Sequence, residues 1–553
     1  MFPYRRAQED TLPYDPIPDR WDIDTDVVVV GAGNSGLPAA IEAHNKGVKV
    51  LLLENNKYMG GLMRASGGFM FFCDTHVQKK LGVEDHIEWG IEDELVMSDF
   101  RAVPELVRTY VSNGAETCSW LERLGLTWAD KLTNGDWGAG ARRDRHVLRT
   151  HFAGVSPNGF YPGGFPDGQN GFALTTVLEK TVKNLGIDVR FEHRMRRIFR
   201  EPNGPVVGIE VETPGGRINV RARKAVILAS GGATTNEQLV KAWDPRLVND
   251  AMYSDGLPYM EAMGDAFIAG EDVGAGLSDM SFVAFLPVKF GSIYYSLSQT
   301  EVEEGIKVQP TGVLMTAKNE GYQRVILVKN DGTRYINEAE ATHKNPDIPR
   351  DVNSVPPAEY PEEPFMRKFL ALPNPKNVWA VLDDDQVEAM AWPKDQLNDP
   401  QPLRGRGLDP KSVAVANTLE ELADKMGVDK ANFLETTRKY NRFVDAGVDE
   451  DFGKPQPLFA IQKPPYVGVK MNVIRHTPAG GIRINTKAQV LDRWAQWDGR
   501  KAVGIDEEAV IPHLYAVGEA SAFVGFRRAH RKTGPILTMG RIAGLAAAEE
   551  PSI

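Results

Sequence analysis

The sequence predicts an α/β fold, and three observations carry the prediction. Asp26-Val-Val-Val-Val30 is an unbroken apolar run of the kind that forms a strand buried on both faces. Glycines follow at once, and Leu37 to Asn45 then places small residues at helical spacing. A second run, Val48 to Leu53, completes a β-α-β unit and ends at Glu54.

The rest of the chain divides by texture. Residues 1–22, rich in Pro and Asp, read as an arm on the surface or on a neighbouring subunit, which would suit a homo-oligomer. Residues 23–280 continue the α/β pattern. Leu174 to Leu185 is helical, Asp188 to Phe191 is a strand, and Val206–Glu212 and Arg217–Ala222 alternate as strands. Ala225 to Ala229 is a further buried-strand run, stopped by Gly231-Gly232. Across 281–464 the parallel-strand signals thin out. Pro346 to Pro364 reads as a long surface loop, a feature that usually carries function, and Thr418 to Phe443 as helices. Residues 465–553 return to strands and glycines.

Composition excludes several classes. A chain of 553 residues needs more than one core. A net charge of −11 argues against nucleic acid, whose phosphates call for surplus Lys and Arg. Two cysteines, Cys73 and Cys118, are too few for a disulfide framework or a four-thiolate cluster, and no C-x-x-C-H attaches a c-type haem. An electron relay would therefore be organic or lie on another molecule, and no metal site is expected. No stretch approaches the ~20 apolar residues of a membrane span. The N-terminus has no apolar signal-like run, so the expected location is cytoplasmic.

Gly31-Ala-Gly33-Asn34-Ser35-Gly36 follows the first strand and opens the first helix. Glycine is needed there for a tight turn, for close approach of a pyrophosphate and for helix–strand packing. The exposed amides and the helix dipole then stabilise the diphosphate. Glu54, followed by Asn55, stands at the end of the second strand, placed to accept hydrogen bonds from ribose hydroxyls. A second glycine cluster, Gly60-Gly61 with Ser66-Gly67-Gly68, favours FAD over NAD, because a nicotinamide dehydrogenase has no use for it. Gly518-Glu519 lies just past a strand, where it can meet ribityl hydroxyls. Thr533-Gly534-Pro-Ile536-Leu537 begins a helix whose N-terminus can face the flavin edge that gains charge on reduction.

Taken together, GAGNSG (31–36), LLLEN (51–55), GGLMRASGG (60–68), VILASGG (226–232), SDG (254–256), TPAGG (477–481), LYAVGE (514–519) and TGPILTMGRIAG (533–544) resemble the fumarate reductase and succinate dehydrogenase flavoprotein family. That family includes ketosteroid dehydrogenases. The resemblance implies a Rossmann-type FAD-binding domain interrupted by an α+β substrate (cap) domain. It implies FAD contacts at Gly31, Gly33, Gly36, Glu54, Gly60, Gly61, Ser66, Met195, Ala229, Asp255, Gly480, Glu519, Gly534 and Leu537. Ser230 and Gly231 belong to the same motifs. It further implies hydride transfer between flavin N5 and a carbon α or β to a carbonyl or carboxylate, with a protein acid or base handling the second hydrogen. Covalent members attach FAD through a His near the second glycine cluster; none stands between Asn55 and Gly68, so the FAD is expected to be non-covalent.

Departures from the family fall at the catalytic segments. Arg334-Tyr-Ile-Asn337-Glu338 resembles the segment that precedes the proton-donating Arg of fumarate reductases, but Thr342 and His343 follow here. The Tyr residues typical of ketosteroid dehydrogenases are also absent. His343 is a candidate acid or base against the reading of a solvated loop histidine. His476 precedes Thr477-Pro-Ala-Gly-Gly, where the family chain passes the flavin. Arg527, Arg528 and Arg531 are alternative holders of a carboxylate or enolate oxygen, or else form a basic turn. Tyr295 is a phenol for proton transfer or a packing residue. A cluster from Arg142 to His146, with His151, hints at an anionic substrate or is paired surface charge. Cys73 and Cys118 read as structural. No second nucleotide fingerprint is present, so electrons exchange with an external donor or acceptor. Rival readings are an oxidase or hydroxylase using O2, and a non-redox flavoprotein hydratase or isomerase.

Overall fold

The computed structural model describes residues 16–65, 68–98, 100–132, 147–154, 171–248, 252–254, 262–281, 283–286, 289–293, 311–314, 322–339, 364–390, 413–471, 473–478, 480–495, 504–522 and 533–553. Its largest sheet has eight strands: β1 (Ile23–Val30), β2 (Val50–Leu53), β3 (Asp188–Arg190), β4 (Arg194–Arg200), β5 (Val206–Thr213), β6 (Gly216–Leu228), β7 (Gln489–Leu491) and β8 (Val510–Ala516). The order is β7-β8-β6-β1-β2-β3, with β4 and β5 attached as an antiparallel extension on β6. β8, β6, β1, β2 and β3 run parallel. Strands from both ends of the chain thus complete one sheet, with β8 beside β6.

Val27, Val28 and Val29 on β1 and Val226, Ile227 and Leu228 on β6 are all fully buried, as the apolar runs require. The two runs read separately at 217–222 and 225–229 are one continuous strand, β6. Arg223 and Lys224 interrupt the hydrophobicity without interrupting the backbone. Arg223 pairs with Asp24 at 2.6 Å, and Lys224 donates to the carbonyl of Ala548 at 3.1 Å.

The first helix, Gly36–Asn45, lies against the C-terminal helix, Thr533–Glu549. The approach is backbone to backbone: a Cβ on Gly540 would overlap the carbonyl of Ser35, and one on Gly544 that of Ala39. Arg541 locks the pair through Glu42 at 2.7 Å.

A separate antiparallel sheet has the order Ile326–Val328, Trp379–Leu382, Tyr466–Lys470, Val413–Ala416. Apolar clusters cover both its faces, one around Tyr322, Phe369 and Met471, the other around Phe433, Tyr440 and the helices Leu419–Met426 and Lys430–Ala446. Tyr466–Lys470 is an inner strand of this sheet, between Trp379–Leu382 and Val413–Ala416. Among the described residues no helix is long and apolar enough to cross a membrane.

Candidate FAD and substrate site

The turn after β1 is held by sterics. Gly31 has φ +105°, and a Cβ there would strike the carbonyl of Ala229; a Cβ on Gly36 would strike the carbonyl of Gly31. A Cβ on Gly33 would meet nothing within 4 Å. Two glycines are therefore demanded by packing and the third by open space beside the turn, where a phosphate can approach. Asn34 Oδ1 and Ser230 Oγ flank the turn, both buried without a hydrogen-bond partner. A buried polar atom left unpaired costs roughly 1–3 kcal/mol, so a polar ligand at this cradle suits them.

Glu54 is buried and accepts from the Ala32 amide at 2.9 Å and from the amide and side-chain nitrogen of Asn56 at 2.8 and 3.0 Å. Burial pushes its carboxyl above the usual carboxylate range, against the lowering effect of those donors. Oε1 accepts both Asn56 bonds, while Oε2 accepts only from Ala32 and retains acceptor capacity for a ribose hydroxyl. Asn55 is exposed, and Asn56 makes the side-chain bond to Glu54.

Three further segments converge on the turn. Gly60 donates its amide to the carbonyl of Ala32 at 2.7 Å, and a Cβ on Gly61 would lie 3.7 Å from Gly33 Cα. Gly518, at φ +68°, packs against the Ser35 side chain and brings Glu519 to the same place. The backbone before β4 passes Glu54, with the His193 amide on the Glu54 carbonyl at 2.9 Å; Met195 itself is a buried core residue of β4. Gly68 is buried, and Gly231 follows Ser230 at the end of β6. At the C-terminal helix, Gly534 packs on the Phe71 backbone, and Ile536 and Leu537 are buried. Gly480 packs on the Asp279 carbonyl, and Gly481 on Ser521. The Ala522 amide donates to Ile482 at 2.8 Å, which ties residues 480–482 to the segment after Gly518.

Ser66, Gly67, Asp255, Tyr295, His343, Arg527, Arg528 and Arg531 lie outside the described residues. His476 lies on the strand Val473–Pro478, in a β-bulge. On the antiparallel neighbour Val283–Leu286, Arg475 pairs with Phe285 and Thr477 with Ala284, so His476 is the extra residue. On the other side the parallel strand Met252–Ser254 pairs with Val473, Ile474 and Arg475. Bulges concentrate beside active sites, where they re-aim a side chain.

His151, grouped above with a basic cluster, is not an anion binder. It is fully buried, with Nε2 2.8 Å from Thr75 Oγ1 and Nδ1 2.9 Å from the Arg149 carbonyl, and burial pulls it down to about 4. It is neutral near pH 7. Arg149 beside it is consumed by Asp85 at 2.6 Å and Asp93 at 2.5 Å. Both cysteines are buried, and burial pushes their thiols up, in keeping with structural roles.

The Arg334–Glu338 motif forms something the sequence reading did not contain. Arg334 is buried and bonds Glu338 at 2.7 Å and Asp449 at 2.9 Å, while Lys454 reaches Glu338 at 3.3 Å. Asp449 and Lys454 are 115 and 120 positions from Arg334, with only the charges themselves to mark them. Among the described residues no cluster of His, Cys, Asp and Glu has the makings of a metal site.

The FAD binding domain family model matches residues 26–537. A probable fumarate reductase of Shewanella frigidimarina is 27% identical over 528 residues, covering 95% of this chain and 75% of that protein. A urocanate reductase of Eggerthella lenta is 26% identical over 542 residues, covering 96% and 76%. The open conformation of a flavocytochrome c3 fumarate reductase is a solved structure with TM-score 0.71 at 26% identity, covering 96% of this chain and 79% of that one. The open space at Gly33, the two unpaired polar atoms and the convergent glycine segments fit the same cofactor. The chain belongs to the FAD-binding family of fumarate reductase flavoproteins and ketosteroid dehydrogenases, and is an FAD-dependent oxidoreductase acting on CH–CH groups.

Proposed function

We propose that the protein reduces a C=C bond conjugated to a carboxylate or ketone, with residues 281–464 forming the substrate domain and FAD held without a covalent bond. The observation that carries this reading is the bulge at His476, on a strand that leads within five residues into the Gly480–Ile482 segment tied to the Gly518 turn. An imidazole-bearing residue on the chain leading to the FAD cradle supports this reading. The reductive direction follows the names of the fumarate and urocanate reductases above.

When bound, FAD supplies the hydride. His476 holds the substrate's carbonyl or carboxylate oxygen and polarises the double bond. Arg527 or Arg528 grips the oxygens bidentately and fixes the face presented for reduction. His343 delivers a proton to the α carbon, so that hydride at the β carbon and proton at the α carbon complete a CH–CH product. Tyr295 is the alternative donor for that proton. An external carrier replenishes the electrons.

The test is anaerobic. The photoreduced yellow protein is mixed with fumarate, urocanate, cinnamate, cyclohex-2-enone or a 3-ketosteroid. Reoxidation of flavin by one of these, with saturated product, is expected. Reoxidation by none of them, together with reoxidation by air within milliseconds to seconds, would instead establish O2 chemistry. Acid precipitation should leave the flavin in the supernatant; yellow pellets would show a covalent link.

A further inference from the structure

Arg475, the residue before the bulge, is 1% exposed, and each of its guanidinium nitrogens donates a hydrogen bond. Its Nε donates to the carbonyl of Thr234 at 3.1 Å, Nη1 to the carbonyl of Leu247 at 3.2 Å and Nη2 to Glu237 at 2.8 Å. These acceptors come from three pieces of chain: the loop after β6, the first turn of helix Glu237–Trp243 and the short turn Pro245–Leu247. The loop after β6 begins with Ser230, whose buried hydroxyl is unpaired beside the glycine turn. One guanidinium therefore joins the bulged strand to the loop that borders the FAD cradle.

Burying a guanidinium is costly, and an apolar side chain of similar volume is often neutral or better for stability. What the planar fork supplies is geometry, since its donors point in fixed directions. Geometry is what this strand lacks. Its ladder toward Val283–Leu286 is interrupted at His476, the extra residue of the bulge. On that side the pairing register slips at the residue next to the one the guanidinium anchors.

We propose that Arg475 is a positioning residue: it anchors the bulge and so sets where His476 stands relative to the flavin. The inference rests on the role given to His476 above. Arg475 acts through the strand, since each of its guanidinium nitrogens donates to a protein acceptor.

The experiment compares Arg475→Lys, Glu237→Gln and His476→Gln in the FAD-loaded enzyme, using the member of the panel above that reoxidises the unchanged protein. Lys keeps the charge but loses the fork. Glu237→Gln removes only the countercharge, on a side chain that is 56% exposed, so this variant folds even where the first does not. Arg475→Lys should retain FAD with an unchanged spectrum and lose roughly 10–100-fold in kcat, the effect of a small misplacement of a reacting group. Glu237→Gln should lose less. Combined with His476→Gln, neither should slow the enzyme further. Amide exchange at 475–477 should quicken in both anchor variants whatever the substrate. Unchanged exchange, or a kcat loss that multiplies with that of His476→Gln, overturns the anchoring role. Full turnover by His476→Gln instead overturns the role given to His476, and the positioning role with it.

Discussion

A single methyl group separates the two kinds of glycine in the dinucleotide turn. Gly31→Ala forces a Cβ into the Ala229 carbonyl at φ +105°, so it should destabilise the folded protein itself by about 1–3 kcal/mol. Gly33→Val places its side chain in open space. It should leave the melting temperature of the flavin-free protein unchanged and abolish retention of FAD; a Gly33→Val protein that purifies yellow would refute the cradle. Glu54 gives a pH signature. Burial raises its carboxyl in the flavin-free protein, and ribose hydroxyls donate more strongly to the ionised form. FAD affinity should therefore fall as pH drops through that raised value, at a pH above the ordinary carboxylate range, and Glu54→Gln should flatten the dependence. Flavin fluorescence titrations at several pH values measure it. Glycine and acid were both legible in sequence because their spacing is local. His476 was legible as a residue, but its status as the odd one out in a ladder depends on partners about 190 and 220 positions away.

The helix pair Gly36–Asn45 and Thr533–Glu549 shows how an element's role escapes its own sequence. Gly534, Gly540 and Gly544 stand in one motif whose start reads as the flavin edge, and 540 and 544 are where this helix meets the Ser35 and Ala39 carbonyls. Gly544→Val should cost about 3 kcal/mol or more in urea unfolding, because the obstacle, the Ala39 carbonyl, is backbone and cannot swing aside. The same substitution at Gly427, where a Cβ would meet nothing, should cost less, chiefly backbone strain at φ +65°. β6 makes the converse point. Periodicity broke it at Arg223-Lys224, but Asp24 and the carbonyl end of the C-terminal helix take up those charges, and the strand continues.

At the scale of the molecule, the Arg334–Glu338–Asp449–Lys454 network braces the second sheet. Leu327 donates its amide to Glu338 at 3.0 Å, and Lys454 donates to the Val325 carbonyl at 2.6 Å, so the network grips the strand Ile326–Val328 directly. The cations hold the Glu338 carboxyl below its usual range despite full burial. Glu338→Gln leaves two buried cations facing one carboxylate and should cost about 3–5 kcal/mol, read by chemical denaturation. Lys454 carries the pH dependence. Burial pulls it down to about 8 from an ordinary 10.5, against the pull of Glu338. Between those values the unfolded chain binds more protons than the folded one, so this group makes stability rise with pH from 8 toward 10.5. The difference in urea midpoint between the native protein and Lys454→Met should change in that window and be constant from pH 6 to 7.

The amino-acid sequence alone determined the β-α-β start, the glycine turn with its acid, the FAD and the family, because each is written in residues a few positions apart whose periodicity and backbone demands are local. Tertiary structure alone decided that His151 and Arg149 are structural, that Tyr466–Lys470 belongs to the second sheet, and that Arg475 spans three segments. Burial, strand pairing and ion pairing are properties of what a residue meets after folding, and those partners lie tens to hundreds of positions away.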